Sequence, residues 1–464
     1  MAGTLSSAPG YALPQPGPGG IPVPRHERVV LENGITLIVI PRPEVPLIAF
    51  QAVLRGGALG DPADRPGVAS IVAGLLDKGA GARDAFAFAD EVEGVGGSFV
   101  AAASSESITI GGQFLARDHE LMLSLLADAL LRPRLDEAEF DKLRDRQIEL
   151  IKATKDTDPS ELLGAYGRAF LFGRHPYSNS VLGSEGSLAA IQHHDVVEYY
   201  RTQFGADRLS LIFAGDVDTS WLMKAINAAF ANWNKAANPL PVPPQPVRTH
   251  QRRVLLVDSP GAVQSYFWIG SVGVDRHYPE RAALDLVNTL YGGRFTSILN
   301  TELRIKSGLS YGAGSGFTRG NAAGEFSLRS FTQTENTVKA LDLSLETLSR
   351  LKKKGVTRED LNSARAYVLG QYPLTLETAA HWAAAMGELE LYGLGPDYIE
   401  SYGPSLEKVG LKEAKVVIDK VFPDPREVSI VLIGDAEKIR DPLKKYGPVT
   451  EMSLTQPTFD PPAD

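Results

Sequence analysis

The sequence predicts an α+β protein of two homologous domains, each a mostly antiparallel sheet with helices packed on one face. Three observations carry this. The two halves of the chain end in similar segments, a proline-rich spacer divides them, and strands gather at the ends of each half with amphipathic helices between. Antiparallel strands with helices segregated to one side are the α+β pattern.

In chain order, the lead-in "MAGTLSSAPGYALPQPGPGGIPVPRHE" is rich in Pro and Gly. Residues 1–24 are read as disordered or extended, and no basic segment followed by an apolar one marks an intact signal peptide. Residues 25–233 form the first domain. "ITLIVIPRPEVPLIAFQAVLRGG", from Ile35, reads as strand, proline-bearing turn, strand. In "GVASIVAGLLDKG" the apolar residues Val68, Ile71, Val72, Leu75 and Leu76 recur at spacings of three and four, the stripe of a helix packed on a core. Gly79 and Gly81 supply its stop signal. "DHELMLSLLADALL" is a further amphipathic helix, and "LSLIFAGD" a buried strand ahead of Gly215-Asp216.

Residues 234–253 are the spacer, with five prolines between Pro239 and Pro246, a composition that favours an extended, semi-rigid chain. Residues 254–464 form the second domain. "RVLLVDSPGAVQSYFWIGSVG", beginning at Arg253, repeats the strand–turn–strand, and "RAALDLVNTLYGG" repeats the helix ending in Gly. "VSIVLIGDAEKIRDPLKKYG" repeats the closing strand and helix around Gly434-Asp435, 219 residues after Gly215-Asp216. A repeat of this length is a duplicated domain, far too long for a solenoid unit.

Of the 464 residues, 43% are hydrophobic and 22% charged, the composition of a soluble globular protein. A net charge of −9 argues against nucleic acid or an anionic membrane as the main partner, and no apolar run is long enough for a membrane span. The absence of cysteine removes thiolate zinc sites, iron–sulfur clusters, disulfides and a cysteine nucleophile together. None of the eight histidines (His26, His119, His175, His193, His194, His250, His277 and His381) lies in a His-x-x-Glu-His or His-Glu-x-x-His arrangement. His194 and Glu198, beside Asp195, have i, i+4 spacing that suits a metal. The reading preferred is a helix N-terminus capped near Asp195, and His175 is read as ordering the turn before Pro176.

From Val29 to Ile433 the chain resembles the pitrilysin/insulinase family of metallopeptidases, the inverted zincins. "GVASIVAGLLDKG" aligns with the family's Gly-Leu-Ala-His-x-x-Glu-His-x-x-x-Lys-Gly. "ALLRPRLDEAEFDKLRDRQIELIKATKDTDPSELL" resembles the long helix bearing the third zinc ligand, and "FLFGRHPYSNSVLGSEGSLAAI" the His-Pro-Tyr segment. "YGGRFTSILNTELRIKSGLSYGAGSGF" resembles the Gly-Gly, Ser-x-Leu, Arg, Gly-Leu-x-Tyr signature of the second domain. The resemblance implies that the two ligand histidines correspond to Ser70 and Gly74, the general-base glutamate to Ala73 and the third ligand to Leu150, so that this chain holds no metal. It also implies that Arg304 and Tyr311 bind substrate peptide near the scissile bond. Arg304 is expected to close a helix ended by Gly308, with Tyr311 at the start of the next strand.

The function so implied is that of a non-zinc subunit of a heteromeric zinc metallopeptidase, bacterial and either periplasmic or cytoplasmic. It would form half of a clam-like chamber. A homologous partner with an intact His-x-x-Glu-His would supply zinc and base, and this chain alone would be inactive. The alternative is an inert scaffolding or peptide-binding member of the same family. A stand-alone peptidase of another class has neither a cysteine nor a Gly-x-Ser-x-Gly elbow to support it.

Overall fold

A computed structural model describes residues 20–462. Most of the predicted lead-in lies outside the described residues. Residues 20–24 are extended against the second half, where the Val23 N–H donates to Glu400 Oε1 at 3.1 Å.

The first half contributes β1 (Glu27–Val30), β2 (Thr36–Pro41), β3 (Leu47–Arg55), a short hairpin of β4 (Gly79–Ala80) and β5 (Arg83–Asp84), β6 (Ser98–Ala103), β7 (Ser107–Leu115) and β8 (Leu209–Gly215). The second half contributes β9 (Arg253–Asp258), β10 (Gln264–Val272), β11 (Ala313–Arg319), β12 (Gly324–Gln333), β13 (Ser429–Gly434) and β14 (Val449–Ser453). Among the described residues two six-stranded sheets form, in the orders β1-β2-β8-β3-β7-β6 and β11-β12-β10-β13-β9-β14. The shared part is the same in both: β2-β8-β3-β7-β6 corresponds strand for strand to β9-β13-β10-β12-β11. Pairing is antiparallel except between β2 and β8, β9 and β13, and β9 and β14. The duplication read from the two Gly-Asp segments is therefore a duplication of topology.

The helices include α1 (Val68–Leu75), α2 (Glu137–Thr157), α3 (Leu163–Phe172), α4 (His193–Gln203), α5 (Arg281–Asn288), α6 (Thr337–Lys354), α7 (Arg358–Gln371) and α8 (Ala379–Tyr392). One face of the first sheet, with Leu37, Phe50, Ile110 and Phe213, is covered by helices of its own half, α1 among them. The matching face of the second sheet, with Leu256, Phe267, Leu328 and Leu432, is covered by α5, α6 and their neighbours.

The opposite faces are covered by an exchange. Ile38, Ile40, Val53 and Ile212 of the first sheet bury against Trp382, Met386 and Leu389 of α8, from the second half. Leu255, Trp268, Val431 and Ile433 of the second sheet join the core built around the first half, under α3. Because both faces are buried, β8 and β13 are apolar without alternation, as strands covered on both sides are. Residues 234–252 carry neither helix nor strand and lie along the first half, with the Asn238 N–H donating to the Thr202 carbonyl at 3.1 Å.

Candidate functional site

The helix that the resemblance assigns to zinc is α1. Gly67, in the left-handed region with φ of 111°, is its N-cap, and the Asp61 carboxylate accepts from the N–H groups of Gly67 (2.8 Å) and Ala69 (2.7 Å). Its apolar stripe is fully buried, as the spacing predicts. At the metal positions, Ser70 is half-buried and Ala73 buried. A Cβ on Gly74 would come within 2.8 Å of Leu143 Cδ2 on α2, so a leucine fills the space where a side chain would project. Leu150 lies two turns further along α2 and is 61% exposed. Of these four residues only Ser70 offers a donor atom, and they do not fit a zinc ion. Among the described residues no group of three or more His, Asp or Glu gathers to hold a metal.

Several histidines have structural partners, among them His119, whose Nδ1 lies 2.7 Å from the Ala116 carbonyl oxygen, and His193, whose Nε2 lies 2.6 Å from that of Leu135. His175 Nδ1 accepts from the Tyr177 N–H at 3.1 Å, ordering the turn as predicted. Gln192 is the N-cap of α4, and Asp195, its third residue, accepts from the Gln192 N–H at 2.8 Å in a capping box and pairs with Arg65, while Glu198 is paired with Arg201 at 2.8 Å. The His194–Glu198 pair is thereby left without a metal geometry.

The signature of the second half has a distinct local structure. After α5 the chain widens into a π-turn over Thr289–Gly293; a Cβ on Gly292 would meet the Ser315 backbone nitrogen at 2.5 Å, so only glycine allows β11 to lie this close. The buried Ser297 caps a helical turn at Ile298–Asn300 that widens again over Thr301–Lys306, where the Ser307 N–H reaches back five residues to the Glu302 carbonyl at 3.1 Å. Gly308, with φ of 63°, ends the segment and donates to the Arg304 carbonyl. The expected helix stop is thus present. Tyr311, however, is in the turn two residues ahead of β11 rather than in the strand itself, because Ser310 holds that turn closed.

The π-turn brings Arg304 between two rings. Its guanidinium carbon is 4.9 Å from the centroid of Phe295 and 4.8 Å from that of Tyr311. Phe295 is 61% exposed and Tyr311 77%, so the stack faces solvent. Among the described residues no carboxylate pairs with Arg304. The nearby Glu302 is engaged by Lys306 (2.8 Å) and Arg350 (3.2 Å), whose positive charges hold its carboxyl below the usual range.

The loop under the stack is fixed from beneath. Ser310 Oγ donates to the Gly312 carbonyl at 2.7 Å, Ser330 Oγ donates to Ser310 Oγ at 2.9 Å, and Thr332 Oγ1 donates to the Leu309 carbonyl at 2.6 Å. The buried Asn300 donates to the Phe295 carbonyl at 2.7 Å and accepts from the Ala313 N–H. The resemblance singles out Arg304 and Tyr311, and the structure adds Phe295 beside them. The available signal was an aromatic residue in "GGRFTS" with only polar neighbours. A guanidinium held between two exposed rings offers its in-plane donors to an outside carbonyl or carboxylate.

A duplicated sheet-and-helix fold in which, among the described residues, no group gathers to hold a metal defines a two-domain peptidase-like protein. Residues 47–185 match the model of the insulinase family, peptidase family M16, and residues 190–368 match the peptidase M16 inactive domain. The chain belongs to the M16 family. It is similar to an uncharacterized zinc protease of Mycobacterium leprae, with 25% identity over 368 residues, 79% of this chain and 82% of that protein. It is also similar to the non-peptidase homolog YmxG of Helicobacter pylori (22% identity, 85% of this chain and 90% of that one). The mitochondrial-processing peptidase subunit beta of Lentinula edodes is 25% identical over 219 residues, 47% of this chain and 46% of that one. Of solved structures, a peptidase M16 inactive domain from Pseudomonas fluorescens shares the fold, with a TM-score of 0.82 at 22% identity over 89% of this chain and 98% of that one. Among the described residues no helix is long and apolar enough to cross a membrane.

Proposed function

We propose that this chain is the non-zinc subunit of a heteromeric M16 metallopeptidase and contributes the peptide clamp. The observation that carries the reading is Arg304, stacked between Phe295 and Tyr311 in a rigid loop and without an internal carboxylate partner, in a chain whose four zinc-site positions have lost their ligands. A homologous partner with an intact His-x-x-Glu-His supplies the zinc, the general base and the attacking water. Arg304 donates to the peptide carbonyl oxygen as negative charge develops on it, and the Tyr311 hydroxyl donates a second hydrogen bond while remaining neutral. Phe295 and Tyr311 keep the guanidinium in one plane, so little ordering is required when substrate arrives.

The test is reconstitution. The purified chain is expected to hold no stoichiometric zinc and to leave a quenched peptide uncut. The complex with its zinc-bearing partner is expected to cleave it. In that complex Arg304→Ala and Tyr311→Phe should each lower kcat by about 10²-fold. Cleavage by the isolated chain would defeat the split-enzyme reading. Unchanged turnover in both variants would favour the alternative, an inert scaffolding or peptide-binding role.

A further inference from the structure

Where the halves meet, a cavity of about 640 Å³ lies between the α8-covered face of the first sheet and the second half. None of Phe295, Arg304 or Tyr311 lines it. Three arginines do: Arg276, Arg281 and Arg319. The same wall offers two carboxylates. Asp285 accepts from Arg319 at 2.8 Å and from the Tyr402 hydroxyl at 2.9 Å, and Glu388 pairs with Arg276. Arg281 donates to the Tyr398 carbonyl. Arg276 Nε and Arg319 Nη1 are buried without any acceptor.

Their side chains are only 16% and 12% exposed. Burial, with Arg319 and Arg281 close by, lowers the Arg276 pKa from its ordinary value. Glu388 and Asp285 offset part of this positive charge, leaving three arginines against two carboxylates, and a buried donor without an acceptor is unfavourable until one is supplied.

The rest of the lining specifies what accompanies that anion. Arg281 lies 3.4 Å from the Tyr398 ring centroid, and Arg276 lies 5.2 Å from that of Tyr392, which orients both guanidinium planes. Leu389, Leu391 and Ile399 add an apolar wall. A volume in the range of small-molecule sites, a few convergent charges and an apolar remainder together describe a ligand with one anionic end.

We propose that this cavity binds a small organic monocarboxylate, its carboxylate bridging Arg276 and Arg319 and its apolar body against Leu389 and Ile399. A forked guanidinium matches a carboxylate in two parallel hydrogen bonds, which an ammonium cannot do. The site is independent of the clamp at Arg304 and stands whether or not that clamp binds peptide.

Calorimetric titration of the whole chain with three probes tests it: 4-phenylbutyrate, its neutral amide 4-phenylbutyramide, and inorganic phosphate. Saturable one-to-one binding of 4-phenylbutyrate is expected, with the amide at least tenfold weaker. Arg276→Gln should raise the Kd at least tenfold. Arg276→Lys keeps the charge and the Glu388 pair while losing the fork, and should weaken binding severalfold with an unchanged circular dichroism spectrum. Arg319→Gln removes a partner of Asp285, so it is read only if its melting curve stays cooperative. Equal binding of acid and amide, undiminished binding in folded Arg276→Gln, phosphate binding without phenylbutyrate binding, or no saturable binding at all would each overturn the proposal.

Discussion

Asp61 shows how one residue fixes the start of a buried helix. Its carboxylate closes the N-terminus of α1 through Gly67 and Ala69. Removal from solvent pushes its pKa up to about 7, against the pull of those two backbone donors. Between its ordinary value and about 7 the folded chain therefore holds a proton that the unfolded chain has released, and stability falls as pH rises through that window. The urea midpoint of the wild type is expected to drop between pH 5 and pH 7.5. Asp61→Asn, which cannot ionise, should flatten that part of the slope; an equal slope in both would mean that the carboxyl titrates normally. Asp61 was not legible in the sequence, since its importance comes from a turn that folds it back under α1. Ser70, Ala73, Gly74 and Leu150, on two different helices, and Arg304 and Tyr311 were picked out only by the resemblance to the family's motifs, and no periodicity of the chain marks them. Phe295 was not, because the π-turn that lays it over Arg304 leaves no periodic trace in the residues.

Among the elements, each of the two exchanged helices carries a glycine pressed against the sheet it covers. Gly167 on α3 lies over Trp268, where a Cβ would approach the indole to 2.8 Å, and Gly387 on α8 would meet Val53 at 3.0 Å. Helix propensity alone makes Gly→Ala stabilising by about 0.5–1 kcal/mol. At Gly370 on α7, where nothing lies within 4 Å, that sign should hold. At Gly167 overpacking against the fully buried Trp268 should reverse it, with Gly167→Ala costing about 1–3 kcal/mol. Urea unfolding of the two variants side by side decides this, and a stabilised Gly167→Ala would mean that α3 can lift from the sheet at little cost. The opening and closing strands of each half were readable as apolar runs, and the helices with an apolar stripe from their period. α8 was not, because "AAHWAAAMGELELY" shows little contrast between its faces. α3 was not either, because nearly all of it is buried.

For the molecule as a whole, the duplication was legible as two segments 219 residues apart, and the exchange was not. Contacts between α3 and β10 or between α8 and β3 join residues far apart in the chain, and no local pattern records them. Other ties cross the same boundary. The buried Glu106 accepts from the Asn321 N–H at 2.9 Å and from the Tyr177 hydroxyl, and Phe459 near the end of the chain packs edge-on to Tyr166. Residues 20–250 and 251–464 made as separate polypeptides should each aggregate, since each would display an uncovered apolar sheet face. Made together they should assemble into one soluble, cooperatively melting particle. A soluble, cooperatively melting half on its own would contradict this.

Trading helices in this way is what a self-associating ancestor of half the length would do, each copy roofing the other. Once the copies were fused, neither needed to remain identical to the other, because the shape of each was guaranteed by its counterpart. Either copy could then change the residues it presents to solvent, and the scaffold would register no loss.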